Sequence, residues 1–184
     1  MLLFLGLLAA SAWIARENWR RDPAQRTAGH LWIWLFRVLM GSMWFQGSLW
    51  KLPFPVSGGF LAWTEQIGEN AAYGFHRAFV AEILVPHIAL LQPLVFLAEM
   101  SFGISLILGL AVRLSSVFGI LFALQLWLGL YLLPNEWPRL FMFMVFTLGQ
   151  FAVFGAGRSL GLDALLRREG RLPAPLGQLH ALAS

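Results

Sequence analysis

Apolar residues run almost unbroken through four stretches, 31–50, 94–112, 114–133 and 140–156. Crossing the hydrocarbon core of a bilayer takes about 20 mostly apolar residues in a helix. The first stretch carries one charge, Arg37, and the second carries one, Glu99; the other two carry none. The pattern predicts an all-α integral membrane protein built as a four-helix transmembrane bundle. Between the last two stretches, Pro134-Asn-Glu-Trp-Pro138 predicts a tight turn.

A shorter apolar stretch occupies residues 1–15, and its basic residues, Arg16, Arg20 and Arg21, come after it. A signal peptide carries such residues before its apolar run, so the order predicts a retained fifth span. The longest loop, 53–87, opens on the helix-breaking run Pro-Phe-Pro-Val-Ser-Gly-Gly. Beyond it, 60–67 and 75–84 have helical character, with Phe75, Phe79 and Ile83 at i, i+4, i+8 and His76 and Val80 on the adjacent face. Short helices lying at the outer membrane interface are expected there. Three segments result: an apolar anchor and basic linker (1–30), the bundle (31–168) and a cytoplasmic tail (169–184), with one interfacial turn expected around 162–168 where the bundle passes into the tail.

Basic residues orient the bundle. With the linker placed in the cytoplasm, Arg16, Arg20, Arg21, Arg26, Arg113, Arg158, Arg167, Arg168 and Arg171 fall inside, and Lys51, Arg77 and Arg139 fall outside. The positive-inside rule then puts the C-terminal segment in the cytoplasm of a bacterial or archaeal inner membrane. Trp50, Trp63, Trp127 and Trp137 fit an outer aromatic belt, and Trp13, Trp19, Trp32 and Trp34 an inner one.

Composition sharpens this picture. Charged residues make up only 12% of the 184, against about 25% in a soluble domain, and mean hydropathy is +0.70. The net charge of +4 therefore reports topology and not nucleic-acid binding. Cysteine is absent, which excludes disulfides, Fe–S clusters, c-type haem and cysteine catalysis. No histidine lies at mid-membrane, so a bis-histidine haem across the bundle is not expected. Glu65, Glu69, His76 and Glu82 read as solvated loop residues, and no metal site is expected.

Small residues recur at Ser101, Ser105 and Gly109, and again at Ser115, Gly119 and Ala123. Small residues permit close helix approach in lipid, so the third and fourth stretches are expected to pair directly. Intramembrane charges mark functional or buried polar sites. Arg37 and Glu99 differ in depth by about 12 Å at 1.5 Å per residue, which leaves a direct pair open. With Gln46, Gln125 and Gln150 they line either one polar cavity or a structural seam. Positions 37, 41, 44, 48 and 51 share a helix face. On it Gly41 allows close approach, and Lys51 is expected to reach the outer interface. Arg37 and Glu99 are the catalytic candidates, and Arg37, Gly41, Gln46, Glu99, Gln125 and Gln150 the candidate surroundings of a quinone.

Arg37-x3-Gly41-x5-Gly47-x3-Lys51-Leu52 resembles the first-helix motif of DoxX-like membrane proteins. Glu99-x3-Gly103, with Leu108-Gly109-Leu110 and Arg113, resembles their second motif. Gly157-Arg158-Ser-Leu-Gly161-Leu162-Asp163 resembles the end of the DoxD branch, the small subunit of thiosulfate:quinone oxidoreductase. The resemblance implies a four-helix membrane bundle linked to quinone-coupled sulfur oxidation or to redox-stress complexes. The chain departs from it in its N-terminal stretch and in lacking cysteine. Three readings follow: a subunit of a larger redox or energy-converting complex, either non-catalytic or quinone-associated; a small subunit acting directly in quinone reduction; and, more weakly, a small-molecule transporter. The expected partners are lipid and other membrane subunits, with no covalent cofactor.

Overall fold

The computed structural model describes residues 2–52, 58–135, 137–169 and 174–184. The predicted break at 53–57, Glu136 of the tight turn and Arg171 of the basic count lie outside the described residues. Nine α-helices appear among the described residues: α1 Leu2–Arg21, α2 Ala28–Leu49, α3 Gly58–Glu69, α4 Gly74–Phe79, α5 Ile88–Leu108, α6 Val112–Gly129, α7 Trp137–Phe154, α8 Leu162–Glu169 and α9 Ala174–Ala183. No strand occurs among the described residues. α5 and α6 are long and apolar enough to cross a membrane, and the apolar part of α7, Pro138–Phe154, is shorter. α2 is long enough, but Arg37, Gln46 and three tryptophans lower its hydropathy.

The long helices run between two ends. At one end, called here the arginine end, the last turn of α1, the starts of α2 and α6, the ends of α5 and α7, and α8 and α9 come together. At the other, the cap end, α3, α4 and a π-helical turn at Val80–Leu84 cover the bundle. Local signals explain the boundaries. Thr27 caps α2 by accepting from His30 N at 3.2 Å. Gly109 ends α5 in the left-handed region, with Gly109 N and Leu110 N both donating to Ser105 O. In the cap, Phe75, Phe79 and Ile83 share one face, as the spacing predicts, and that face is exposed, while His76 and Val80 on the adjacent face are buried.

The expected pairing of the third and fourth stretches is corrected. α5 packs chiefly on α2, and α6 on α7; contact between α5 and α6 is minor. The decisive glycines are Gly41 and Gly103, not the Ser101–Gly109 stripe. A Cβ on Gly41 would fall 2.8 Å from Ile107 N and 2.9 Å from Gly103 O, and one on Gly103 would fall 2.8 Å from Phe45 N. The two backbones are thus in contact. In the other stripe Gly119 does mark a close approach, but to Leu148 of α7.

The tail is also more structured than expected. α9 folds back onto α6, His180 Nε2 lies 2.8 Å from Asp163 Oδ1, and Arg158 donates to Ser184 O at 3.0 Å. The N-terminal stretch is helical from Leu2 onward and tied to the same end: Ser11 Oγ donates to Ile107 O at 2.6 Å and Asn18 Nδ2 to Gly161 O at 2.9 Å.

Gly103→Ala is expected to destabilise the protein by about 1–3 kcal/mol, because a methyl group must separate two touching backbones. Gly6→Ala, where a Cβ meets nothing within 4 Å, is expected to be neutral or slightly stabilising. Thermal melting in a mild detergent checks the ordering.

Candidate functional site

Two polar centres occupy the two ends of the α2–α5 seam, and they divide the residues that the sequence grouped together. At the arginine end, Arg37 is fully buried and donates from Nη1 to Leu106 O at 2.5 Å, with Ile107 O at 3.4 Å. These are C-terminal carbonyls of α5, which lack intrahelical partners. The guanidinium sits where a side chain on residue 109 would be, so Gly109 serves both the left-handed turn and Arg37.

Beside Arg37 stands Asp163, also fully buried. Its Oδ1 accepts from Ala111 N at 2.8 Å and its Oδ2 from Val112 N at 3.3 Å. A carboxylate from α8 therefore caps the start of α6, where orphan N–H groups and the helix dipole favour negative charge. The same contacts hold Ala111 in its left-handed conformation, φ 51°. Two glycines let Asp163 approach: a Cβ on Gly157 would strike its carboxylate, and one on Gly161 would strike Gly157 O. The Gly157-x3-Gly161-x-Asp163 run is thereby a structural clasp.

At the cap end, Glu99 meets Lys51. Nζ lies 2.5 Å from Glu99 Oε2 and 3.0 Å from Gly47 O, and 4.7 Å from the ring centroid of Trp50. Both residues are buried, so the expected reach of Lys51 to the interface is corrected: Glu99 holds its ammonium inside the bundle. Gln92, fully buried next to Pro93, donates to Lys51 O at 2.5 Å and holds the chain just past α2. The sequence reading missed Lys51 as Glu99's partner. The available signal was that Lys51 shares the helix face of Gly41, the face that turns toward α5.

The ion pair lines a cavity of about 1120 Å³. α2 contributes Trp44, Gln46 and Gly47; α3 contributes Trp63 and Thr64; Phe102 comes from α5, Phe122 and Gln125 from α6, and Phe141 from α7. Trp44, Phe102 and Phe122 form a triangle of edge-on rings with centroids 5.3–6.1 Å apart. At its margin Gln125 Nε2 lies 3.4 Å from His76 Nε2, and burial pushes the His76 imidazole below its usual range. Of the candidate residues, Gln46, Glu99 and Gln125 meet in this cavity. Arg37 and Gly41 lie in the seam outside it, and Gln150 lies in a separate groove between α6 and α7. The open question about Arg37 and Glu99 is resolved: each has its own partners.

A family model described as "TQO small subunit DoxD" matches residues 32–172. The chain belongs to the DoxD family. No curated protein and no solved structure matches it. Family membership, with the apolar helices, makes it a membrane protein of the kind that serves as the small subunit of a complex. The three DoxX- and DoxD-like motifs now have physical roles in this chain. Gly41 and Gly103 bring α2 and α5 together, Lys51 and Glu99 close one end of that seam, and Arg37 with the Asp163 clasp closes the other.

Lys51→Met alone is expected to cost about 3–5 kcal/mol, because it strands a buried carboxylate, whereas Lys51→Met/Glu99→Leu is expected to recover most of the loss. A double-mutant cycle of detergent melting measures the difference.

Proposed function

We propose that this DoxD-family chain is the quinone-associated membrane subunit of a thiosulfate:quinone oxidoreductase-type complex in a bacterial or archaeal inner membrane. The observation that carries the reading is the large aromatic cavity with the Lys51–Glu99 pair in its wall. Aromatic faces suit a flat ring, and the apolar walls suit an isoprenoid chain. A bound quinone supplies the electron acceptor. Lys51 offers a cation for developing negative charge, and Glu99 a carboxyl group for proton exchange. Gln46 and Gln125 add amides. Arg37 is assigned to the seam and not to the ligand. With no cysteine in the chain, thiolate chemistry on sulfur belongs to a partner subunit.

In this reading α2, α5, α6 and α7 are the four spans, and α1 is a fifth beside α5. The arginine end faces the cytoplasm, because the basic residues concentrate there. α3 and α4 lie at the outer interface, so the cavity is on the outer side of the bundle. A reporter fused after Ser184 is expected in the cytoplasm and one inserted near Gly58 outside; an external C-terminal reporter overturns the orientation.

The functional test uses the purified complex. Glu99→Gln, whose amide oxygen can still accept from Lys51 Nζ, is expected to lower the melting temperature less than Lys51→Met does, and in the complex that assembles to reduce quinone turnover by about a hundredfold or more, since it removes the exchangeable proton. Arg37→Met is expected to lower stability while any assembled complex keeps its quinone. Normal quinone occupancy and turnover in Glu99→Gln, measured by extraction and by quinone reduction, would leave the cavity without this function.

A further inference from the structure

Three arginines from three elements converge at the arginine end. Arg113 lies in the first turn of α6, Arg158 in the 3-10 turn Ala156–Arg158, and Arg167 in α8. Burial and then the neighbouring guanidiniums of Arg167 and Arg113 hold Arg158 below the usual arginine range, with Asp163 opposing. Among the described residues the hydrogen bonds of these side chains go to main-chain oxygens. Arg113 Nε donates to Ala152 O at 3.0 Å and Arg158 Nη2 to Ser184 O at 3.0 Å. Arg158 Nε is buried without an acceptor, and Arg167 makes no hydrogen bond or ion pair among the described residues. The neighbouring carboxylate, Asp163, is already held by two backbone N–H groups and His180. Three cations in such proximity repel one another, and an anion with several acceptor oxygens reverses the sign of that interaction.

An apolar groove leads to this cluster. It lies between α6 and α7, has a volume of about 430 Å³, and is lined by Ile120, Phe146, Gly149, Gln150, Val153 and Phe154. Phe146, Val153 and Phe154 are 61%, 72% and 71% exposed, so this face meets the lipid. Arg113 precedes Ile120 by two helical turns and shares its face, and the carbonyl it holds belongs to the residue before Val153. A cationic patch of half-buried Arg113 and Arg158 and exposed Arg167, about two helical turns from the apolar groove, is complementary to one class of molecule. We propose that Arg113, Arg158 and Arg167 bind the phosphodiester of an anionic phospholipid whose acyl chain lies in the α6–α7 groove.

The test adds lipids to the delipidated chain in mild detergent and follows melting temperature and bound lipid by native mass spectrometry. Phosphatidylglycerol is expected to raise the melting temperature and to remain bound, and phosphatidylcholine of the same chain length is not. Arg113→Gln/Arg167→Gln is expected to weaken phosphatidylglycerol binding by about fivefold per arginine. Arg167→Gln alone removes no hydrogen bond or ion pair among the described residues and keeps the test valid if the double variant misfolds. Gly149→Leu, placed where a Cβ meets open space, is expected to reduce lipid binding with all three arginines in place. Equal stabilisation by both lipids, or unchanged affinity in Arg167→Gln, overturns the site. Inorganic phosphate matching phosphatidylglycerol, with no effect of Gly149→Leu, overturns the lipid in favour of a free anion.

Discussion

Contact between the α2 and α5 backbones at Gly41 and Gly103 is the constraint on which the rest depends. Lipid tails are as apolar as the side chains they replace, so no hydrophobic push assembles helices within a bilayer. Dispersion over a close approach and hydrogen bonds between the helices must do so. The seam has both, with bare glycines at its middle and a buried cation at each end. Arg37 binds the last carbonyls of α5, and Lys51 binds the carboxylate of Glu99. Each contact also sets register, because a shift of one residue would leave a buried charge without its partner.

The Asp163 clasp applies the same physics to the turn between α5 and α6. A helix start inside a protein needs acceptors for its first N–H groups, and α6 begins after Ala111, whose side chain supplies none. Asp163 comes from 51 and 52 residues away in the chain to supply both. Its position relies on Gly157 and Gly161, and Asn18 of α1 binds Gly161 O. One carboxylate thus links α6, α8 and α9 at the arginine end, and α1 joins them through Gly161. Among the described residues Asp163 bonds to these N–H groups and to His180, and not to Arg113, Arg158 or Arg167.

Fold and function meet in the cavity wall. The Lys51–Glu99 pair that ends the seam is the most polar feature of an otherwise aromatic chamber closed by α3. The structural ion pair and the proposed ligand site therefore share the same atoms. A ligand competing for Lys51 or Glu99 would act directly on the packing of α2 against α5.

Much was legible from the chain alone. Apolar run length located the long helices, because a 20-residue apolar run has few other uses, and the i, i+4, i+8 spacing put Phe75, Phe79 and Ile83 on one face of a short helix, which the structure turns outward. The glycine-bearing motifs around Arg37, Glu99 and Asp163 gave the family. Which helices pair was not legible: small residues are frequent on every apolar helix, and only the packed structure selects Gly41 and Gly103 over Ser105. Nor were the partners of the charges. Depth along a helix follows from residue count, but rotation and the reach of a side chain do not, so Lys51 and Glu99 met only in three dimensions. The cap that Asp163 places on α6 is a contact between residues about 50 positions apart, and no local pattern in either segment announces it.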